Sequence, residues 1–254
     1  GDHSVAIGDL SGADSGAHAV AVGDKAGAHD QDSRSVAIGA SAGENQLGYG
    51  SIAIGHNSSR NNGADETVAI GIFAGQDGQR YHSIAIGAEA GRNNQSYASV
   101  AIGRTAGYQD QGTNSVAIGS RAGEYYQSYG AVAIGKNAGQ YSQNDYTVAI
   151  GWYAGNDNQE YSAIAIGNNA GNDLQRTHAI AIGDNAGNYN QGINSIAIGQ
   201  EAGSVSQGLN SIAIGYQSGQ QTQSTNYLPP QSKRFQFIED RCFWRQQTIT
   251  TSNK

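Results

Sequence analysis

Ser115-Val116-Ala117-Ile118-Gly119-Ser120-Arg121-Ala122-Gly123 is one copy of a unit that recurs, with small changes, from Ser4 to Gly219. The glycine that closes each V/I-A-I/V-G falls at Gly8, Gly23 and Gly39, and then every sixteen residues to Gly215. That is fourteen copies, with a first step of 15 residues and twelve of 16. A fixed period of this length specifies a solenoid, in which each repeat contacts only its neighbours. Val or Ile alternates with Ala over three residues, which is the period of a strand. Two glycines per repeat and β-branched residues between them exclude a helix. The expected fold is all-β: a parallel β-roll of fourteen coils, two short strands per coil, with glycines at φ > 0 at the corners. At a strand spacing of about 4.8 Å the rod would be roughly 65 Å long.

Three slots of the coil invite a functional reading. On a strand, the Val/Ile positions three and one before the glycine share one face, and we expect them to form the interior. The position between them is Ala in every copy and would then face outward. An outward position without exceptions implies another backbone packed close, so Ala37, Ala53, Ala69, Ala85, Ala101, Ala117, Ala133, Ala149, Ala165, Ala181 and Ala197 are candidates for a subunit interface. Eight residues after the glycine, Gln79, Gln95, Gln111, Gln127, Gln143, Gln159, Gln175, Gln191, Gln207 and Gln223 form an uninterrupted run. Stacked amides hydrogen-bond along an axis, so a structural ladder is expected there rather than a ligand site. Two residues further, Tyr49, Tyr81, Tyr97, Tyr129 and Tyr161 share a slot with Ile193 and Leu209, as either edge packing or a recognition stripe for sugars or proteins.

Residues 1–226 form the rod and residues 227–254 a separate tail, divided at Pro229-Pro230. The rod holds nine Lys/Arg against 19 Asp/Glu, a net −10, whereas the tail holds five against two, a net +3. An acidic rod is a poor nucleic-acid binder. The tail carries Phe235, Phe237, Phe243 and Trp244, expected to cap the last coil, dock on a neighbouring subunit or connect to something further. Cys242 is the single cysteine, so no internal disulfide is expected. No apolar run reaches the length of a transmembrane helix. With no Met anywhere, the chain is expected to be processed or a fragment.

Catalytic signals are missing. Gly130-Ala131-Val132-Ala133-Ile134-Gly135-Lys136-Asn137 approaches a phosphate loop but lacks the final Ser/Thr and a following helix. No slot carries His or Asp along the length of the rod, so no catalytic residue, metal site or cofactor is expected. The unit at Ser115–Gly123 and Ser195–Gly203 resembles the head repeats of trimeric autotransporter adhesins of the YadA type. It is also similar to the A-I-G-Y-Q-A-G arrays of phage and large-virus fibre proteins, closest at Ile212–Gly219. The resemblance extends over residues 4–219. It implies a left-handed roll, trimeric assembly and a role in surface attachment, with a surface receptor, matrix protein or glycan as partner. The expected function is therefore a non-enzymatic fibre or adhesive head, extracellular or on a virion. The alternatives are a filament subunit polymerising head to tail through its tail and, less favoured, a glycan-degrading spike.

Overall fold

The computed structural model describes residues 2–220. The tail at 227–254, with Phe235, Phe237, Phe243 and Trp244, lies outside the described residues, as does Gln223. The described chain is a parallel β-solenoid of about thirteen turns. Fourteen three-residue strands, from Val5–Ile7 to Ile212–Ile214, stack in chain order into one sheet. Each pairs in register with the strand one coil away, as Val116, Ala117 and Ile118 do with Val132, Ala133 and Ile134.

The polar loop of each coil forms the second wall. Its short strands make a three-stranded sheet over His29–Gln31, Asn45–Leu47 and Asn61–Gly63, and a seven-stranded sheet from Asn93–Gln95 to Tyr189–Gln191. Between them Asp77 makes only single bridges, to Asn61 and to Asn93. The middle residue of these strands lies in the left-handed region, for example Asn94 at φ 56° and Asn158 at φ 52°. It turns the chain sharply within a few residues.

The expected corner glycines take positive φ, and their stacking explains the strict register. Gly119 sits at φ 126°, and a Cβ there would come within 2.7 Å of the Gly135 carbonyl oxygen in the next coil. No L-side chain fits either the conformation or the space.

The assignment of inside and outside is the reverse of the sequence expectation. The eleven alanines proposed for a subunit interface, Ala37, Ala53, Ala69, Ala85, Ala101, Ala117, Ala133, Ala149, Ala165, Ala181 and Ala197, are 0% exposed and point into the coil's own interior. The Val/Ile pairs point out, and seven isoleucines from Ile38 to Ile198 remain 36% to 38% exposed. The reason is width. A coil of sixteen residues closes on itself too tightly for two branched side chains to enter from each strand. The interior is filled by this alanine, by a second one such as Ala42 or Ala122, and by Ser or Thr such as Ser115 and Thr147. The slot eight after the glycine supplies the largest fully buried side chains among the described residues, Leu47 and the glutamines.

Candidate interaction surfaces

The glutamine slot lies inside the roll. Gln95 shows its local geometry: its Nε2 donates to Ile84 O at 2.7 Å and to Ser99 O at 3.3 Å, tying the second wall to the first. From Gln111 to Gln191 the amides also bond to one another along the axis. Gln143 Nε2 donates to Gln159 Oε1 at 2.9 Å, and Gln159 Nε2 donates to Gln175 Oε1 at 2.9 Å. The bonds from Gln127 to Gln143 and from Gln175 to Gln191 are 3.2 and 3.1 Å. Gln79, Gln95 and Gln207 are buried in the same slot and bond to backbone carbonyls without joining the chain. Gln31 belongs to the same slot, although the run counted in the sequence begins only at Gln79. It is buried, and its Nε2 donates to Val20 O at 3.0 Å. Its signal was its distance of eight residues from Gly23, hidden because Leu47 and Gly63 follow it in the slot. Among the described residues every amide of this row is buried in the core.

The outer surface divides into a face and two flanks. The face is the first sheet, presenting two aliphatic side chains per coil along its whole length. The leading flank, just before each strand, holds the tyrosines. Tyr49, Tyr81, Tyr97, Tyr129 and Tyr161 are all exposed. The sequence reading missed their partners in the adjacent slot, His82, Tyr146 and His178, which occupy the left-handed region at φ 60°, 58° and 57°. Rings from neighbouring coils meet edge to face: Tyr129 and Tyr146 at 5.4 Å, Tyr146 and Tyr161 at 5.7 Å, and Tyr161 and His178 at 5.7 Å. Further toward the N-terminus, His82 meets Tyr97 at 5.3 Å, while Arg34 hydrogen-bonds the Tyr49 hydroxyl and lies 5.5 Å from its ring centre. Edge-to-face pairs align the ring quadrupoles and fix each ring.

The trailing flank, just after each glycine, is mixed. Trp152, Ile72 and Tyr216 are exposed there, among Arg104, Lys136 and polar residues.

On the second wall the charges are weakly organised. Burial pushes Glu44 up, but hydrogen bonds from Ser41 and from Arg60 (2.7 Å) and the charges of Arg60 and Lys25 outweigh it, so the carboxyl lies below its ordinary 4.5. Asp157 and Asp173 are in-register neighbours, and burial together with the Asp173 charge raises the Asp157 carboxyl above 3.8. Burial and the Glu124 charge likewise raise the Tyr125 phenol. A groove of about 520 Å³ near the N-terminal end is lined by Asp14, Asp30, Asp32, Asp65 and Tyr81 among others. Among the described residues no three His, Cys, Asp or Glu are placed to hold a metal ion, and no helix is long and apolar enough to cross a membrane.

A thin solenoid with a continuous aliphatic face and one aromatic flank defines a class: a repeat rod whose features lie on its surface rather than in a cleft. The family model that matches is the YadA head domain repeat, over residues 1–26, 15–42, 111–122 and 191–218. Over those stretches the repeats are similar to YadA head repeats. No curated protein and no solved structure matches the chain.

Proposed function

We propose that this chain is a non-enzymatic adhesive head or fibre segment, displayed on a cell or virion surface and assembled as a parallel trimer of left-handed rolls about the Val/Ile face. The observation that carries this reading is the outward aliphatic stripe. Monomeric proteins seldom expose a contiguous apolar patch beyond a few hundred Å². Fourteen strands at about 4.8 Å, each roughly 10 Å wide, give a stripe of roughly 650 Å². Hiding about 40 Å² more of each side chain contributes about 1 kcal/mol apiece. The outward side chains of the second wall, which change from coil to coil, are the surface we assign to the receptor.

Light scattering on the purified chain tests the assembly. The expected mass is three times 26.3 kDa. A charge on the face, as in Val116→Lys with Val132→Lys, should give a folded chain of lower mass, since both residues project outward. A monomeric parent chain would overturn the proposal. A polydisperse mass well above three chains would favour the filament alternative in its place.

A further inference from the structure

From the sequence alone the tyrosine flank reads as either edge packing or a recognition stripe. We propose instead that its central part is the seam with the neighbouring copy, where Tyr97 and Tyr129 of one subunit receive Arg104 and Lys136 of the next. This rests on the parallel assembly proposed above. In any cyclic assembly whose axis runs along the rod, with the Val/Ile face turned to that axis, the leading flank of one copy meets the trailing flank of the next at the same height. This holds whatever the number of copies. In an antiparallel pair each flank would meet itself.

In two coils the flanks carry a tyrosine and a cation at equal height, while Tyr81 stands level with Ala88 and Tyr161 with Asn168. Tyr97 and Arg104 lie on either side of strand Val100–Ile102, and Tyr129 and Lys136 on either side of strand Val132–Ile134. Tyr97 is 47% exposed and Tyr129 43%. Arg104 and Lys136 are exposed, and among the described residues neither head group has an ion-pair, hydrogen-bond or ring partner. Arg34 is engaged with Tyr49, Arg60 with Glu44, and Arg92 with Glu89 and the Phe73 ring, whereas Arg80 and Arg176, like Arg104 and Lys136, have no such side-chain partner among the described residues. A cation over a tyrosine face is an attractive contact that strengthens as water is removed. At the C-terminal end the same spacing places Leu209 opposite Tyr216, an apolar pair with both partners exposed, at 52% and 68%.

Size points the same way. A stable interface buries about 800 Å² per partner. The aliphatic stripe of roughly 650 Å² is itself divided between two neighbours in a ring, so the flanks must contribute.

The test uses the full chain with Cys242→Ser. Tyr97→Cys and Arg104→Cys are made in separate chains, and the two are co-expressed and oxidised. The expected result is a covalent band at twice 26.3 kDa in the mixture and in neither variant alone. Tyr129→Cys with Lys136→Cys should behave alike, and a thermal melt confirms that each variant folds. Dimers formed by a single variant would overturn the proposal in favour of antiparallel pairing. A trimeric mass without either cross-link would overturn the seam while leaving assembly on the Val/Ile face intact. A monomeric mass would overturn both.

Discussion

The coils before residue 64 and those from Gln111 to Gln191 share one first sheet, yet their interiors are built differently. In the central coils every slot opposite the glycine at position +4 holds a glutamine, and the amides bond from coil to coil. In the N-terminal coils the slot holds Gln31, Leu47 and Gly63 in turn. The buried alanines split accordingly, with one cluster reaching Ala53 and another beginning at Ala69, and the second wall breaks at Asp77. The break coincides with an exchange. The +4 glycine is replaced by Ser59 in the one coil where the glutamine is replaced by Gly63, and a Cβ on Gly63 would sit 2.3 Å from Ser59 Oγ. In the central coils a Cβ on the glycine would instead strike the glutamine, at 2.7 Å from Gln127 Oε1 for Gly123. The interior therefore has room for one polar side chain per coil from this pair of positions, supplied from either side. Leu47 leans into the space above Gly63, its Cδ1 3.5 Å from where that Cβ would lie.

The largest expected effect breaks this exchange. Gly63→Gln should destabilise by about 3 kcal/mol, because the new side chain meets a buried hydroxyl with no room to move. Adding Ser59→Gly should recover about 2 kcal/mol, since it restores the central arrangement and removes a serine at φ 41°. Denaturant melts of the four chains in this cycle measure the coupling, and strict additivity would show that the two positions do not share one space. A smaller effect compares the same slot in the two regions. Gln143→Leu should cost about 2 kcal/mol, because it removes the donor to Gln159 Oε1 and the acceptor of Gln127 Nε2. Leu47→Gln should change stability by less than about 1 kcal/mol, since its coil has no amide chain to complete.

The smallest effect concerns pH and has opposite signs in the two regions. Glu44 has its folded pKa lowered, so its contribution is present above its ordinary 4.5 and is lost as pH falls through the lower folded value. Asp157 has its folded pKa raised, so its ionisation works against the fold, and acidification toward 3.8 relieves that cost. Amide hydrogen exchange at neutral and mildly acidic pH should show protection falling around Glu44 and Arg60 and rising around Asp157 and Asp173. Equal changes in both regions would mean that global charge dominates over these local environments.

Much of this architecture was legible in the chain itself. The sixteen-residue period, the alternation of Val116, Ala117 and Ile118, and the corner glycines such as Gly119 are local or translational properties, and each repeat states them again. The continuous glutamine run told of stacking, because identical residues at one period must superpose. What the chain could not state was which side of the strand is inside. Val-Ala-Ile has the same alternation whichever face is buried, and hydrophobicity alone favours burying the larger pair. Only closure of the coil decides, because its interior admits Ala117, Ala122 and one amide but not Val116 and Ile118. That inversion turns the aliphatic residues outward, and with them the face on which this protein would assemble.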